Sequence, residues 1–143
     1  MSNLYDEDVA AWAEQQVALL RSRQWALLDI DHIVEEIEDM NISHRHELAN
    51  RMSILIAHLL KWKYQEDRRG ASWHNTISTQ RNRIARLLKK MPSLKHLLND
   101  FEWNQDVWED AVEIAGREAN LADLPREREW TLEQVLSDDY FPT

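Results

Sequence analysis

The sequence predicts an all-α protein, an antiparallel bundle of about four main helices that includes a long central helix and adds a short C-terminal helix. Three observations predict it. Only two Gly and three Pro interrupt 143 residues, so turns are few and elements long. Apolar residues recur at steps of three and four, the 3.6-residue period, and no run alternates with the period of two that a strand requires. The breaks between periodic stretches are short, which sets successive helices antiparallel. At this length the chain reads as a single helical domain over residues 1–143, and its 43 % hydrophobic residues suffice for a core.

Asp6 is a suitable N-cap for the first helix, with Glu7 and Asp8 favoured beside the positive end of the helix dipole. Val9, Trp12, Ala13, Gln16, Val17 and Leu20 follow at helical spacing, so this helix runs from about 6 to 22. Gln24 to Leu28 reads as a short helical turn, and Asp29 or Asp31 caps the long segment from Ile30 to Tyr64, which contains neither Gly nor Pro. Asn41 and Ser43 compete for backbone hydrogen bonds and mark the weakest point, but one long or gently kinked helix is expected. Ile30, Ile33, Ile37, Met40, Leu48, Met52, Leu55, Leu59 and Trp62 share its inner side. Polar groups interrupt that side at His44, Glu47, Arg51 and His58, with Glu36 at its edge. A buried polar group left unpaired costs about 1–3 kcal/mol. Glu47 and Arg51, four apart, are placed to satisfy each other.

Gly70 marks a loop over Glu66–Ala71, and Ser72 is the expected cap of the next helix. Trp73, Ile77, Ile84, Leu87, Leu88 and Met91 form its stripe, Gln80 falls in the middle of it, and Arg81, Arg83, Arg86, Lys89 and Lys90 occupy the flanks and outer face. Pro92 stops that helix. A further helix is expected to start at Met91 or Ser93, to be lined by Leu94, Leu97, Leu98, Phe101, Trp108, Val112 and Ala115, and to end near Gly116 to Asn120. Thr131 and Gln134 make a capping box for a last short helix ending near Ser137. Asp138 to Thr143 is an acidic-aromatic tail.

Net charge is −9 but unevenly spread: −7 over residues 1–60, +8 over 61–95 and −10 over 96–143. The favoured reading is that the basic middle packs between acidic flanks and is neutralised internally. The sharper reading is an anion or nucleic-acid face. Trp62, Tyr64 and Trp73, interleaved with the bases, lie on apolar stripes, which weakens the nucleic-acid reading. The absence of Cys excludes disulfides, a thiol nucleophile and thiolate metal sites. No Glu-x-x-His occurs, only Asp29-x-x-His32. On one straight helix Glu36 and His58 stand roughly 33 Å apart. No metal and no other cofactor is therefore expected. No apolar run reaches the roughly 18–20 residues of a membrane span. The opening residues lack a signal pattern, so a cytoplasmic protein with no membrane association is expected.

The candidate site residues are Glu36, Glu47, His58, Gln80 and Arg81, polar groups on the facing sides of the two central helices. In one reading His58, Gln80 and Glu47 form a satisfied core network with Arg51, with Gln80 the partner of His58. In the other the candidate residues are a catalytic cluster, which requires a base with a partner and a pocket.

The runs EEIEDM (Glu35 to Met40), AHLLKWKYQ (Ala57 to Gln65), SWHNTISTQRNRI (Ser72 to Ile84), PSL (Pro92 to Leu94) and TLEQVLSDDYFP (Thr131 to Pro142) together resemble the bacterial family called domain of unknown function 29. The resemblance covers nearly the whole chain. It implies an all-α fold without an assigned activity and supplies no catalytic residues; His58, Trp73, Gln80 and Arg81 match its motif positions. The function expected first is a non-enzymatic helical module for protein interaction or regulation, engaging a protein partner or a second copy. Seven Trp and the terminal Tyr140-Phe141 are its positive hint. The alternatives are a hydrolase-type enzyme using the Glu/His/Gln/Arg cluster, and nucleic-acid binding through residues 61–95.

Overall fold

A computed structural model describes residues 3–143. The protein is all-α, and no strand occurs among the described residues. Its helices are α1 (Leu4–Glu7), α2 (Val9–Arg21), α3 (Ile30–Tyr64), α4 (Ala71–Lys90), α5 (Phe101–Ala119) and α6 (Leu132–Leu136). Short 3-10 turns lie at Trp25–Leu27, Glu66–Arg68 and Pro92–Asn99. The chain divides into two compact units, one reaching to Ser43 and one from His44 to Thr143.

In the first unit the expected opening helix is broken at Asp8. Asp8 is extended (φ −157°, ψ 91°), and its carboxylate accepts from the Ala11 N–H at 3.0 Å, so Asp8 rather than Asp6 caps α2. A residue in that conformation cannot continue the helix before it, which leaves α1 as a single turn. Within residues 3–43 only Trp12 and Gln16 are buried. The apolar side expected to face inward at the start of α3 is open instead: Ile30, Ile37 and Met40 are exposed, and Ile33 is half-buried. The helix itself runs unbroken through Asn41 and Ser43.

The second unit contains residues 44–64 of α3 with α4, α5 and α6. Lys61 lies over the Trp73 ring and Arg51 reaches Gln80, so α3 and α4 run antiparallel. The Ser53 hydroxyl donates to the Val107 carbonyl and Lys61 to Glu118, so α5 runs parallel to α3 and antiparallel to α4. The core is the expected stripe: Leu48, Met52, Leu55 and Leu59 of α3 are fully buried, against Ile77 and Ile84 of α4, Val107 and Trp108 of α5, and Val135 of α6. The Trp108 indole donates to the Pro125 carbonyl at 2.9 Å and meets Trp130 edge-on, so its one polar atom is satisfied where it is buried.

Two boundaries differ from expectation. Ser72 lies inside the first turn of α4 and does not cap it; the residue before the helix is Gly70, extended and without a side chain to cap with. The helix expected from Met91 or Ser93 divides in two. Residues 92–99 wind as a 3-10 turn, and Asp100 then caps α5 by accepting from the Trp103 N–H at 3.1 Å. A 3-10 turn has three residues per turn, so it shifts the phase of the apolar stripe. Leu94 and Leu97 stay buried, while Phe101 points outward, 80 % exposed. The capping box is as read: Thr131 accepts from the Gln134 N–H, and the Gln134 side chain accepts from the Thr131 N–H.

Leu59 is completely enclosed, so Leu59→Ala is expected to cost about 2–5 kcal/mol, read as a fall in the urea midpoint with an unchanged slope.

Candidate functional site

The five candidate residues separate. Glu47 and Gln80 share one partner: the Arg51 Nε donates to the Glu47 carboxylate at 3.0 Å, and its Nη1 donates to the Gln80 amide oxygen at 3.4 Å. His58 turns to its own helix, where Nδ1 donates to the Ile54 carbonyl at 2.9 Å. The expected pairing of His58 with Gln80 is thus replaced by a bond to the preceding turn, which a histidine on a helix reaches without any help from α4. Burial pushes the His58 pKa down, partly offset by that backbone bond, so the ring is neutral at pH 7. Glu36 belongs to the first unit and accepts from the Tyr5 hydroxyl at 2.6 Å.

Arg81 departs furthest from its expected place on the flank or outer face of α4. It is buried, and its guanidinium binds the chain that follows α5. Nε donates to the Val135 carbonyl at 2.8 Å and Nη2 to the Tyr140 carbonyl at 2.7 Å; longer bonds run to Asp138 at 3.4 Å and Gln134 at 3.5 Å. The same guanidinium stacks over the Phe141 ring. One planar group with five donors thereby satisfies the open carbonyls at the end of α6 and fixes the tail. Burial pushes the Arg81 pKa down, and Asp138 and Asp139 oppose that.

The basic segment is neutralised at one end only. Lys61, itself buried, pairs with Glu118 at 2.5 Å, and Lys63 pairs with Glu129, which also accepts from the Tyr64 hydroxyl. The Lys61 bond holds the Glu118 carboxyl below its usual range. At Glu129 burial pushes upward, but the bonds from Lys63 and Tyr64 outweigh it and the net shift is down. At the other end His44, Glu47 and Arg51 of α3 face Arg83, Arg86, Leu87 and Lys90 of α4 across a groove of about 330 Å³. Among the described residues, Arg83, Arg86 and Lys90 form no ion pair.

In the first unit a polar network centres on Asp29. Its carboxylate accepts from the Trp12 indole at 3.0 Å and binds His32 Nδ1 at 2.7 Å, while its N–H donates to the buried Gln16 amide oxygen at 2.9 Å. The Tyr5 ring stacks on His32 at 3.9 Å, and these groups line a cleft of about 680 Å³ with Asn3, Leu4, Gln15, Leu27 and Leu28. The bond from His32 lowers the Asp29 pKa, and the same bond raises that of His32. The Tyr5 pKa is raised, chiefly by its bond to Glu36. No group of three or more His, Cys, Asp or Glu side chains among the described residues is placed to hold a metal ion. No helix there is long and apolar enough to cross a membrane.

A family model described as domain of unknown function DUF29 matches residues 4–141. The chain belongs to that family. No curated protein and no solved structure matches it. The family match spans both compact units, so the Asp29 network and the groove both lie within it. The network escaped the sequence reading, although two signals pointed to it. Asp29-x-x-His32 is the one place where an acid precedes a histidine at that spacing, and Gln16 interrupts the stripe of α2 as Gln80 interrupts that of α4.

Arg81→Met leaves several buried carbonyls without a donor and is expected to lower stability by about 2–4 kcal/mol, with faster amide exchange over residues 132–141. Arg81→Lys is expected to recover less than half of that, because an ammonium cannot span the same acceptors. The Asp29–His32 pair gives a pH signature. Asp29 is lowered from 3.8, so its contribution is present above that value and lost as pH falls. His32 is raised from 6.5, so its contribution is full below that value and lost as pH rises. The stability gap between wild type and His32→Gln is therefore expected to be widest between pH 3.8 and 6.5 and to narrow on either side, as read by urea titration at a series of pH values.

Proposed function

We propose that the protein is an interaction module that self-associates through the apolar face of residues 9–42. The observation that carries this reading is the distribution of exposed apolar side chains. Of the twelve large ones exposed among the described residues, ten lie between Val9 and Ile42, each 44–63 % exposed. Six of them follow helical spacing, Val9, Val17 and Leu20 on α2 and Ile30, Val34 and Ile37 on α3. A unit of this size with a single buried apolar side chain among the described residues, Trp12, lacks a core of its own, and chains of about 40 residues usually need oligomerisation or a covalent or metal staple.

The area is that of a small interface. Full burial of an aliphatic side chain corresponds to about 60–120 Å² at about 25 cal/mol/Å², so the six half-exposed ones on these stripes offer roughly 180–360 Å². A standard interface covers about 800 Å² per partner, a little over half of it apolar, or roughly 450 Å². A second copy is the occupant because it brings the same helical stripes. The second unit exposes only Tyr64 and Phe101 among its large apolar side chains, too little to match. The acidic flank of α3, with Asp31, Glu35 and Glu38, repels its equal across such an interface. Exposed charges are screened within about 8 Å at physiological salt, so this weakens the association without preventing it.

Light scattering across a concentration series tests the reading. The wild type is expected at twice 17.0 kDa, and Val34→Glu with Ile37→Glu is expected to weaken dimerisation at least about 100-fold while α4 and α5 stay folded. A wild type that remains monomeric at 100 µM (an order-of-magnitude ceiling, roughly −5 kcal/mol of association) overturns it, including the case where it instead captures a basic amphipathic peptide.

A further inference from the structure

We infer that the groove between residues 44–51 of α3 and residues 83–91, at the end of α4 and just beyond it, is a binding site for a small phosphate-bearing ligand. Three cationic side chains of α4 point along one side: Arg83, Arg86 and Lys90, spaced three and four apart. Like charges at that spacing destabilise a helix by a few tenths of a kcal/mol per pair. The helix dipole accounts for Lys90, which lies in the last turn, but its effect has faded by Arg83 and Arg86. The cluster therefore carries a local cost without a local return, in a protein whose net charge is −9 and which pairs Lys61 and Lys63 with carboxylates elsewhere.

The opposite wall supplies a positioned donor. Arg51 is tethered by Glu47 through Nε and by Gln80 through Nη1, which holds the guanidinium in place and leaves Nη2 without a partner among the described residues. Glu47 is the one carboxylate in the groove and is already engaged by Arg51. The floor is apolar, formed by Leu87 and Met91, and a low-polarity floor strengthens the attraction between a bound anion and the cations above it. Arginine forks match the oxygens of a phosphate in pairs, and a phosphate monoester carries about −1.5 to −2 at neutral pH. The groove, about 330 Å³, lies at the small end of ligand pockets, which favours a compact phosphate compound over a polymer.

The test uses the full chain and calorimetry at low salt, with pyrophosphate as the probe and a ten-residue single-stranded oligonucleotide as the second arm. Pyrophosphate is expected to bind the wild type, and Arg83→Glu with Arg86→Glu is expected to weaken it at least about 10-fold. Arg68→Glu with Arg126→Glu makes the same change in net charge away from the groove and is expected to leave binding within about twofold. Arg86→Gln is the milder variant, with circular dichroism checking that α4 remains helical. Equal weakening by both double variants means general charge attraction and overturns the site. So does an absence of pyrophosphate binding, or an oligonucleotide that binds while pyrophosphate does not, which reassigns the face to nucleic acid.

Discussion

The second unit depends on one apolar stripe. Leu48, Met52, Leu55 and Leu59 hold α3 in place, since each is fully enclosed and its burial is worth about 1.5–3 kcal/mol. Every polar group on the same helix is then placed by default. Ser53 meets the Val107 carbonyl, Lys61 meets Glu118, and Arg51 is carried to the rim beside Gln80. His58 takes the Ile54 carbonyl of its own helix.

Two buried cations then join segments that the stripe alone does not order. An unpaired ammonium in the interior is costly, so Lys61 is tolerated only with Glu118 at its end, and that pair ties α3 to α5. Arg81 ties α4 to the carbonyls of residues 134–140. Its role explains why a charged residue occupies the inner side of α4, and why the tail it grips needs no further helix. Once these cations are assigned to structure, the basic segment resolves into two parts. One is consumed by packing, and the other, around Arg83, Arg86 and Lys90, is left facing the groove.

The first unit is held differently. Its helices meet through hydrogen bonds and ring stacking about Asp29, with Trp12 the single buried apolar side chain among the described residues. Hydrogen bonds set geometry but add only about 0.5–1.5 kcal/mol each to stability. That balance, a defined polar network together with exposed apolar side chains, is the physical basis for reading this unit as the part that meets another chain.

The sequence by itself determined the helical class, the long α3, the stripe from Leu48 to Leu59 and the capping box at Thr131, because each rests on local period or local backbone chemistry. The Glu47–Arg51 pair was legible for the same reason, as a contact within one turn. Only the tertiary structure decided which stripes are covered. The apolar positions at the start of α3 repeat the pattern of the buried ones, yet Ile30, Ile37 and Met40 are open, since a period tells which side is apolar but not whether anything packs on it. The same limit hid the burial of Arg81, whose acceptors lie more than fifty residues away, and the network about Asp29, assembled from three separate segments. Spacing reports neighbours within a helix; partners between helices exist only once the chain has closed on itself.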